Sequence, residues 1–262
     1  MEVKDVLEKL ASGKISVREA RRLLSLHTIE YVEDMAKLDI GRDARKGIPE
    51  VIYAESKTYA DLRKIADAAL RRRGSVIISR IDGKQVKQLQ RFLRRRRAKV
   101  VVSERARALV ASKKEKKMAS TGGRVGIITA GTSDIPVAEE ARLMVEAMGC
   151  RAITSYDVGI AGMHRLFPAL KLVLSNNVDA IIVVAGMEGA LASVVTTLVD
   201  VPVVGVPTSV GYGFGSEGFA ALASMLQSCT FGLAVMNIDN GIGAGALAAT
   251  IANRTASARH NK

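Results

Sequence analysis

Four short segments of this chain combine small, hydroxylated and ionisable residues in a way that could hold and transform an anionic ligand. Gly131-Thr132-Ser133-Asp134 follows the apolar run Val125–Ile128 and opens a helical pattern. Backbone N–H groups at a helix start favour phosphate, the hydroxyls of Thr132 and Ser133 add donors, and the Asp134 carboxylate can hold ribose hydroxyls. Simple capping by Asp134, with Pro136 in the first turn, is the alternative. No Gly-Lys-Ser/Thr follows, so this is not a Walker loop, and it is not a six-residue dinucleotide fingerprint. Ala161-Gly-Met-His-Arg165 sets His164, a potential proton shuttle, beside Arg165, which can grip phosphate bidentately; an isolated His-Arg pair is more often structural. In Ala185-Gly-Met-Glu-Gly189 the only acid is Glu188. An apolar, glycine-rich loop can raise a carboxyl pKa and suit it to general-base work, with helix capping as the alternative role. Cys229, in Gln227-Ser-Cys-Thr230, falls between a helical and a strand pattern, where a buried inert thiol is the commoner outcome.

The elements that must position these residues follow from apolar periodicity. From Arg124 onward, apolar runs at 125–129, 152–156, 179–185, 202–206 and 233–238 are each followed by a Gly-rich turn and a helical pattern. Five such units predict an α/β domain with a doubly wound parallel five-stranded sheet and helices on both faces. Ligands of such sheets sit beyond the carboxyl ends of the strands, where the turns 130–134, 157–165, 185–190, 207–218 and 237–245 collect. The N-terminal half predicts helices over 2–12 and 16–26, a loop over 41–49, a strand over 50–54, a helix over 59–73, a strand over 75–79, a helix over 83–97 and a strand over 99–103. That is a smaller α/β domain. The Lys-rich segment 112–123 reads as a linker, giving domains at 1–118 and 122–255 and a tail at 256–262.

A chain of 262 residues that is 48% hydrophobic can bury a sizeable core. Its net charge of +13 is uneven: residues 1–120 hold 31 of the 39 Lys and Arg and 16 of the 26 Asp and Glu. Such asymmetry suits an anionic partner or a solvating surface. Arg71–Arg73 and Arg94–Arg97 motivate nucleic-acid binding, but the aromatics in that half are Tyr31, Tyr53, Tyr59 and Phe92, too few for a stacking platform, and neither a zinc nor an RNP motif is present. A solvated basic face is the preferred reading, with no nucleic-acid partner. No apolar run reaches the ~18 residues of a membrane span, and Met1–Asp5 carries charges unlike a signal peptide. A cytoplasmic protein without membrane association is expected. Cys150 and Cys229 are too few for a disulfide framework, lack metal-ligand spacing, and read as free thiols.

Longer strings carry a family resemblance. Gly131–Asp134, Ala161–Arg165, Pro202-Val-Val-Gly-Val-Pro207 and Gly241-Ile-Gly-Ala-Gly-Ala246 resemble the aminoimidazole ribonucleotide carboxylase/mutase fold of purine biosynthesis. Tyr156-Asp-Val-Gly-Ile-Ala-Gly-Met-His-Arg165, Val184-Ala-Gly-Met-Glu-Gly-Ala-Leu-Ala192, Val206-Pro-Thr-Ser-Val-Gly-Tyr-Gly213 and Asn237-Ile-Asp-Asn-Gly241 look more specifically like the LarB family. The resemblance spans the C-terminal domain; the basic half is similar in layout alone. Purine enzymes of this fold read Gly-Ala-Ala-His-Leu-Pro-Gly where this chain has Ala185–Gly189, and they use no catalytic cysteine.

The LarB resemblance implies an enzyme that carboxylates nicotinic acid adenine dinucleotide with CO2 and cleaves its diphosphate. The products are pyridinium-3,5-biscarboxylic acid mononucleotide and AMP, the first step toward the nickel-pincer nucleotide cofactor. It casts Cys229 as nucleophile and Glu188, then His164, as base. Thr132, Ser133, Asp134, Asp157, Arg165 and Ser209 would bind substrate, and Gly211–Gly218 would close over the ring. Cys229 just precedes the fifth strand; Cys150 precedes the second, at the sheet's opposite, amino-terminal end. Mg2+ on the substrate diphosphate is compatible with the chemistry, no tightly bound organic cofactor is expected, and a homo-oligomer, an octamer by resemblance, is implied. A purine-type carboxylase or mutase is the alternative enzyme.

Overall fold

The computed structural model describes residues 3–24, 29–32, 36–39, 41–42, 47–113 and 120–260. The chain divides into two compact units, residues 1–102 with 108–117, and 103–107 with 118–262. Residues 43–46 of the predicted 41–49 loop and the middle of the predicted 112–123 linker lie outside the described residues. Among the described residues no helix is long and apolar enough to cross a membrane.

The first unit opens with α1 (Val3–Ala11) and α2 (Val17–Leu24), then an antiparallel hairpin of β1 (Ile29–Val32) and β2 (Ala36–Asp39). A four-stranded sheet follows, built from β3 (Val51–Tyr53), β4 (Ser75–Ser79), β5 (Ala98–Ser103) and β6 (Ala108–Lys113) in the order β3-β4-β6-β5. Helices α3 (Tyr59–Arg73) and α4 (Gly83–Arg95) complete it. Thr58 caps α3 by accepting from the Asp61 amide, and Asp82 caps α4 by accepting from Lys84 and Gln85. Leu62, Ile65, Leu70, Ile78, Leu89 and Leu93 form the heart of its core. Several features differ from expectation. The hairpin β1–β2 and the strand β6 are additional, and residues 112–113 belong to β6 rather than to a linker; α4 also ends at Arg95 because Arg97 adopts a left-handed backbone, φ 60°.

In the second unit β7 (Arg124–Thr129), β8 (Arg151–Ser155), β9 (Ala180–Ala185), β10 (Val203–Pro207) and β11 (Leu233–Val235) form one parallel sheet in the order β11-β10-β9-β7-β8. Helices α5 (Ile135–Ala147), α6 (Leu166–Ser175), α7 (Ala190–Leu198), α8 (Phe219–Leu226) and α9 (Gly241–His260) flank it. All six residues of the central β9 are buried, which is why that run is continuously apolar. The fifth strand is shorter than the 233–238 run. Residues 256–260, expected as a tail, are the last turn of α9, with Ala256 buried and Arg259 in a salt bridge to Asp179.

Helix α9 packs along α5 at close range. A Cβ added at Gly241 would lie 2.2 Å from the Val137 carbonyl oxygen, and one at Gly245 would lie 2.6 Å from that of Ala141. Both obstacles are backbone, and the i, i+4 spacing on each helix puts the contacts on one seam. Gly245→Val should therefore force the helices apart and lower stability by about 1–3 kcal/mol, read from the denaturant midpoint; an unchanged midpoint would contradict so close an approach.

Candidate active site

In the strand order of the second unit, chain connections turn opposite ways on either side of β7 and β9, and the crevice beyond their carboxyl ends is where such sheets bind ligands. The structure has a cleft of about 460 Å³ there, lined by Ala130–Asp134, Asp157, Gly159–Ala161, Ala185–Glu188, Ala190, Leu191 and Val210. That volume is within the ~300–1,000 Å³ usual for small-ligand sites. Of the residues singled out from sequence, Thr132, Ser133, Asp134, Asp157 and Glu188 line it together, whereas His164, Arg165, Ser209 and Cys229 do not.

Asp134 is 3% exposed, and its carboxylate ties three turns together. Oδ2 accepts the Gly131 amide at 2.8 Å and Oδ1 accepts the Thr208 hydroxyl at 2.7 Å, with a further bond from the Gly186 backbone. The turns after β7, β9 and β10 thus share one anion. Around it, Met187 donates its amide to the Val210 carbonyl at 2.8 Å, and Asp239 accepts the Ser209 amide at 2.9 Å. Gly186 is required at this crossing, since a Cβ there would meet the Val210 carbonyl oxygen at 2.3 Å. Burial raises the Asp134 pKa, outweighing the bonds from Thr208, Gly131 and Gly186 that oppose the rise; Asp239 adds to it. The Asp134 oxygens are committed to these inward bonds, whereas Thr132 and Ser133 stand exposed at the cleft.

A second network positions the β8 turn. Asp157 has a left-handed backbone, φ 59°, and its amide donates to the Thr129 hydroxyl at 3.0 Å. Its carboxylate accepts Arg165 Nη1 at 2.8 Å, so the two polar residues chosen in this turn hold each other at the cleft mouth. Preceding it, the Tyr156 hydroxyl donates to Glu139 at 2.6 Å, and Arg142 clamps both Glu139 and Glu146. Burial alone would raise the Glu139 pKa, but bonds from Arg142 and Tyr156 hold it below its usual range; burial and the Glu139 bond push the Tyr156 phenol up. Thr129, Glu139, Tyr156 and Thr208 are not singled out as site residues by sequence because each sits at a strand's end, just beyond one or on a helix, where a single residue carries no mark of its bonding partner.

Glu188 is exposed on its loop. It follows Met187, which has φ 52°. His164 is exposed on the turn before α6. Cys229 is exposed on the turn between α8 and β11, while Cys150 is buried, its thiol donating to Asn253 Oδ1 at 3.0 Å and its pKa raised mainly by burial. Both cysteines precede a strand of the same parallel sheet, so strand order does not distinguish them; exposure does. Among the described residues no group of three or more His, Cys, Asp or Glu could hold a metal ion.

Two outcomes test the Asp134 knot. Asp134→Asn should cost about 1–3 kcal/mol, because an amide nitrogen replaces an acceptor and leaves a buried donor unpaired. Since the folded pKa is raised, the folded state keeps a proton that the unfolded chain has released. The stability contributed by this group is then full below the ordinary carboxylate range and falls as pH rises through the raised value. Denaturation from pH 3.5 to 7 should show this slope in the native chain and its loss in the variant; equal slopes would contradict the assignment.

Comparison with known proteins places this geometry. Residues 124–262 match the AIR carboxylase family, and residues 29–114 match the LarB/PurE-like N-terminal domain. An uncharacterised protein of Methanocaldococcus jannaschii is 44% identical over 253 residues, covering 95% of this chain and 96% of that protein. The N5-carboxyaminoimidazole ribonucleotide mutases of Thermotoga maritima and Pyrococcus horikoshii are each 30% identical over 132 residues, covering 49% and 48% of this chain and 74% and 71% of the mutases. The chain belongs to the LarB family, a carboxylase/mutase type in which a LarB/PurE-like N-terminal domain is joined to an AIR carboxylase domain.

Proposed function

We propose that this protein carboxylates the pyridinium ring of nicotinic acid adenine dinucleotide at C5 and hydrolyses its phosphoanhydride. The products are pyridinium-3,5-biscarboxylic acid mononucleotide and AMP. The observation that carries the proposal is an exposed thiol, Cys229, on a domain of carboxylase/mutase type. A pyridinium ring is electron-poor and cannot attack CO2. Addition of the Cys229 thiolate forms a C–S bond and converts the ring to a neutral dihydropyridine with an enamine-like C5. C5 then attacks CO2, a base takes the C5 proton, and the electron pair of that C–H bond restores aromaticity as the thiolate departs. Glu188, which lines the cleft, is the favoured base, and His164 the second. Thr132 and Ser133 offer hydroxyls to phosphate, and Arg165, held by Asp157, supplies the charge. Water completes the phosphoanhydride hydrolysis. Mg2+ would be carried by the diphosphate oxygens.

The proposed assembly is a homo-oligomer. Tyr212, Phe214, Phe219 and Phe231 are all largely exposed, which favours their being covered by another copy. Cys229 does not line the cleft of its own chain; in the oligomer the thiol of one copy meets the cleft of another. Light scattering should give several copies per particle, and a monomer would contradict this.

Incubation of purified protein with nicotinic acid adenine dinucleotide, bicarbonate and Mg2+, followed by mass spectrometry, should show gain of one carboxyl with release of AMP. Turnover of an aminoimidazole ribonucleotide instead would select the mutase reading. Cys229→Ser should abolish carboxylation, since a serine hydroxyl is scarcely ionised near neutral pH, whereas Cys150→Ser should leave it intact. Wild-type rates in Cys229→Ser would overturn the covalent route. Arg165→Lys should weaken dinucleotide binding about tenfold, because an ammonium cannot reproduce the guanidinium fork; unchanged calorimetric affinity would remove Arg165 from the site.

A further inference from the structure

Of the residues on either side of Cys229, Ser228 is bonded to the helix that starts at the cleft and Thr230 is bonded to Ser228. Ser193 lies on α7, one turn beyond Ala190, and Ala190 lines the cleft beside Glu188. The Ser193 hydroxyl donates to Ser228 Oγ at 2.8 Å, Ser228 and Thr230 share a hydroxyl bond of 2.8 Å, and the Thr230 amide reaches Ser228 Oγ at 3.4 Å. A serine hydroxyl has one proton and two lone pairs. With Ser193 and the Thr230 amide donating to those lone pairs, the Ser228 proton goes to Thr230 Oγ1, and every hydrogen-bonding capacity of Ser228 is used. Ser193, Ser228 and Thr230 are partly buried while Cys229 between the last two is exposed. The hydroxyls therefore grip the turn on both sides and leave the thiol outside it.

We propose that Ser193 and Ser228 are positioning residues for the Cys229 thiol, fixing its turn to the first turns of α7 so that the sulfur meets the ring in one orientation. The inference rests on the nucleophilic role of Cys229 proposed above. Neither serine touches substrate. Their contribution is geometric, and it acts after binding, because a misplaced thiol slows ring addition without altering the groups that hold the nucleotide.

The test compares wild type, Ser193→Ala, Ser228→Ala and Ser228→Thr, the last keeping a hydroxyl. Hydrogen exchange of a peptide spanning 227–232 should quicken at least tenfold in both alanine variants. The kcat for dinucleotide carboxylation should fall at least tenfold with KM within twofold of wild type, and Ser228→Thr should recover most of the rate. Faster exchange with wild-type kcat would show a structural clamp without a positioning role, and unchanged exchange would show no clamp; either overturns the inference. An inactive wild type would instead overturn the proposed reaction, and the exchange measurement would still decide the clamp.

Discussion

One buried carboxylate holds the mouth of this sheet together. Asp134 accepts from the turns after β7, β9 and β10, three segments that are separate in sequence and meet only because the parallel sheet brings their ends side by side. Turns of this kind expose backbone donors that would otherwise be unpaired, and a single anion satisfies several at once. Burial makes that anion costly, which is why its pKa is raised, and the bonds it accepts offset the cost. The cleft walls inherit their shape from the knot: Gly186 crosses Val210 at a separation no side chain would permit, and the Ala185–Glu188 turn runs directly from that crossing.

Around the knot, work is divided between residues that hold and residues that face outward. Asp134, Thr208, Glu139 and Tyr156 are bonded to protein partners, while Thr132, Ser133 and Glu188 stand exposed at the cleft and His164 on the turn beside it. Arg165 is intermediate, half-exposed and anchored to Asp157. Anchoring through Nη1 orients the guanidinium. The thiol is organised separately, on a turn bonded to α7, and the two arrangements share only that helix and the loop that opens it.

Much of the second unit was legible in the sequence. A strand buried on both faces, such as β9, must read as an unbroken apolar run, and turns at its carboxyl end must be small, so the alternation and the ligand-binding end followed directly. Short elements were not legible: β1, β2 and β6 lie in charged segments whose apolar spacing is too brief to show a period. What the sequence leaves open at the cleft is the orientation of its side chains. A carboxylate at a helix start can face ligand or protein, and only the positions of Thr208 and Gly186, more than fifty residues away in sequence, decide that Asp134 faces inward. The two cysteines, likewise, were distinguished by strand end when burial is what sets them apart.

The central claim is that the ring is activated by a covalent bond to Cys229, and the most direct measurement looks for that bond before carbon dioxide arrives. Purified protein mixed with nicotinic acid adenine dinucleotide in bicarbonate-free buffer should develop an absorbance band at longer wavelength than the pyridinium ring, as dihydropyridines do. Intact mass should rise by one dinucleotide, and peptide mapping should assign the added mass to Cys229. Carboxylated product formed without any such band or adduct, or an adduct mapped to Cys150, would contradict it.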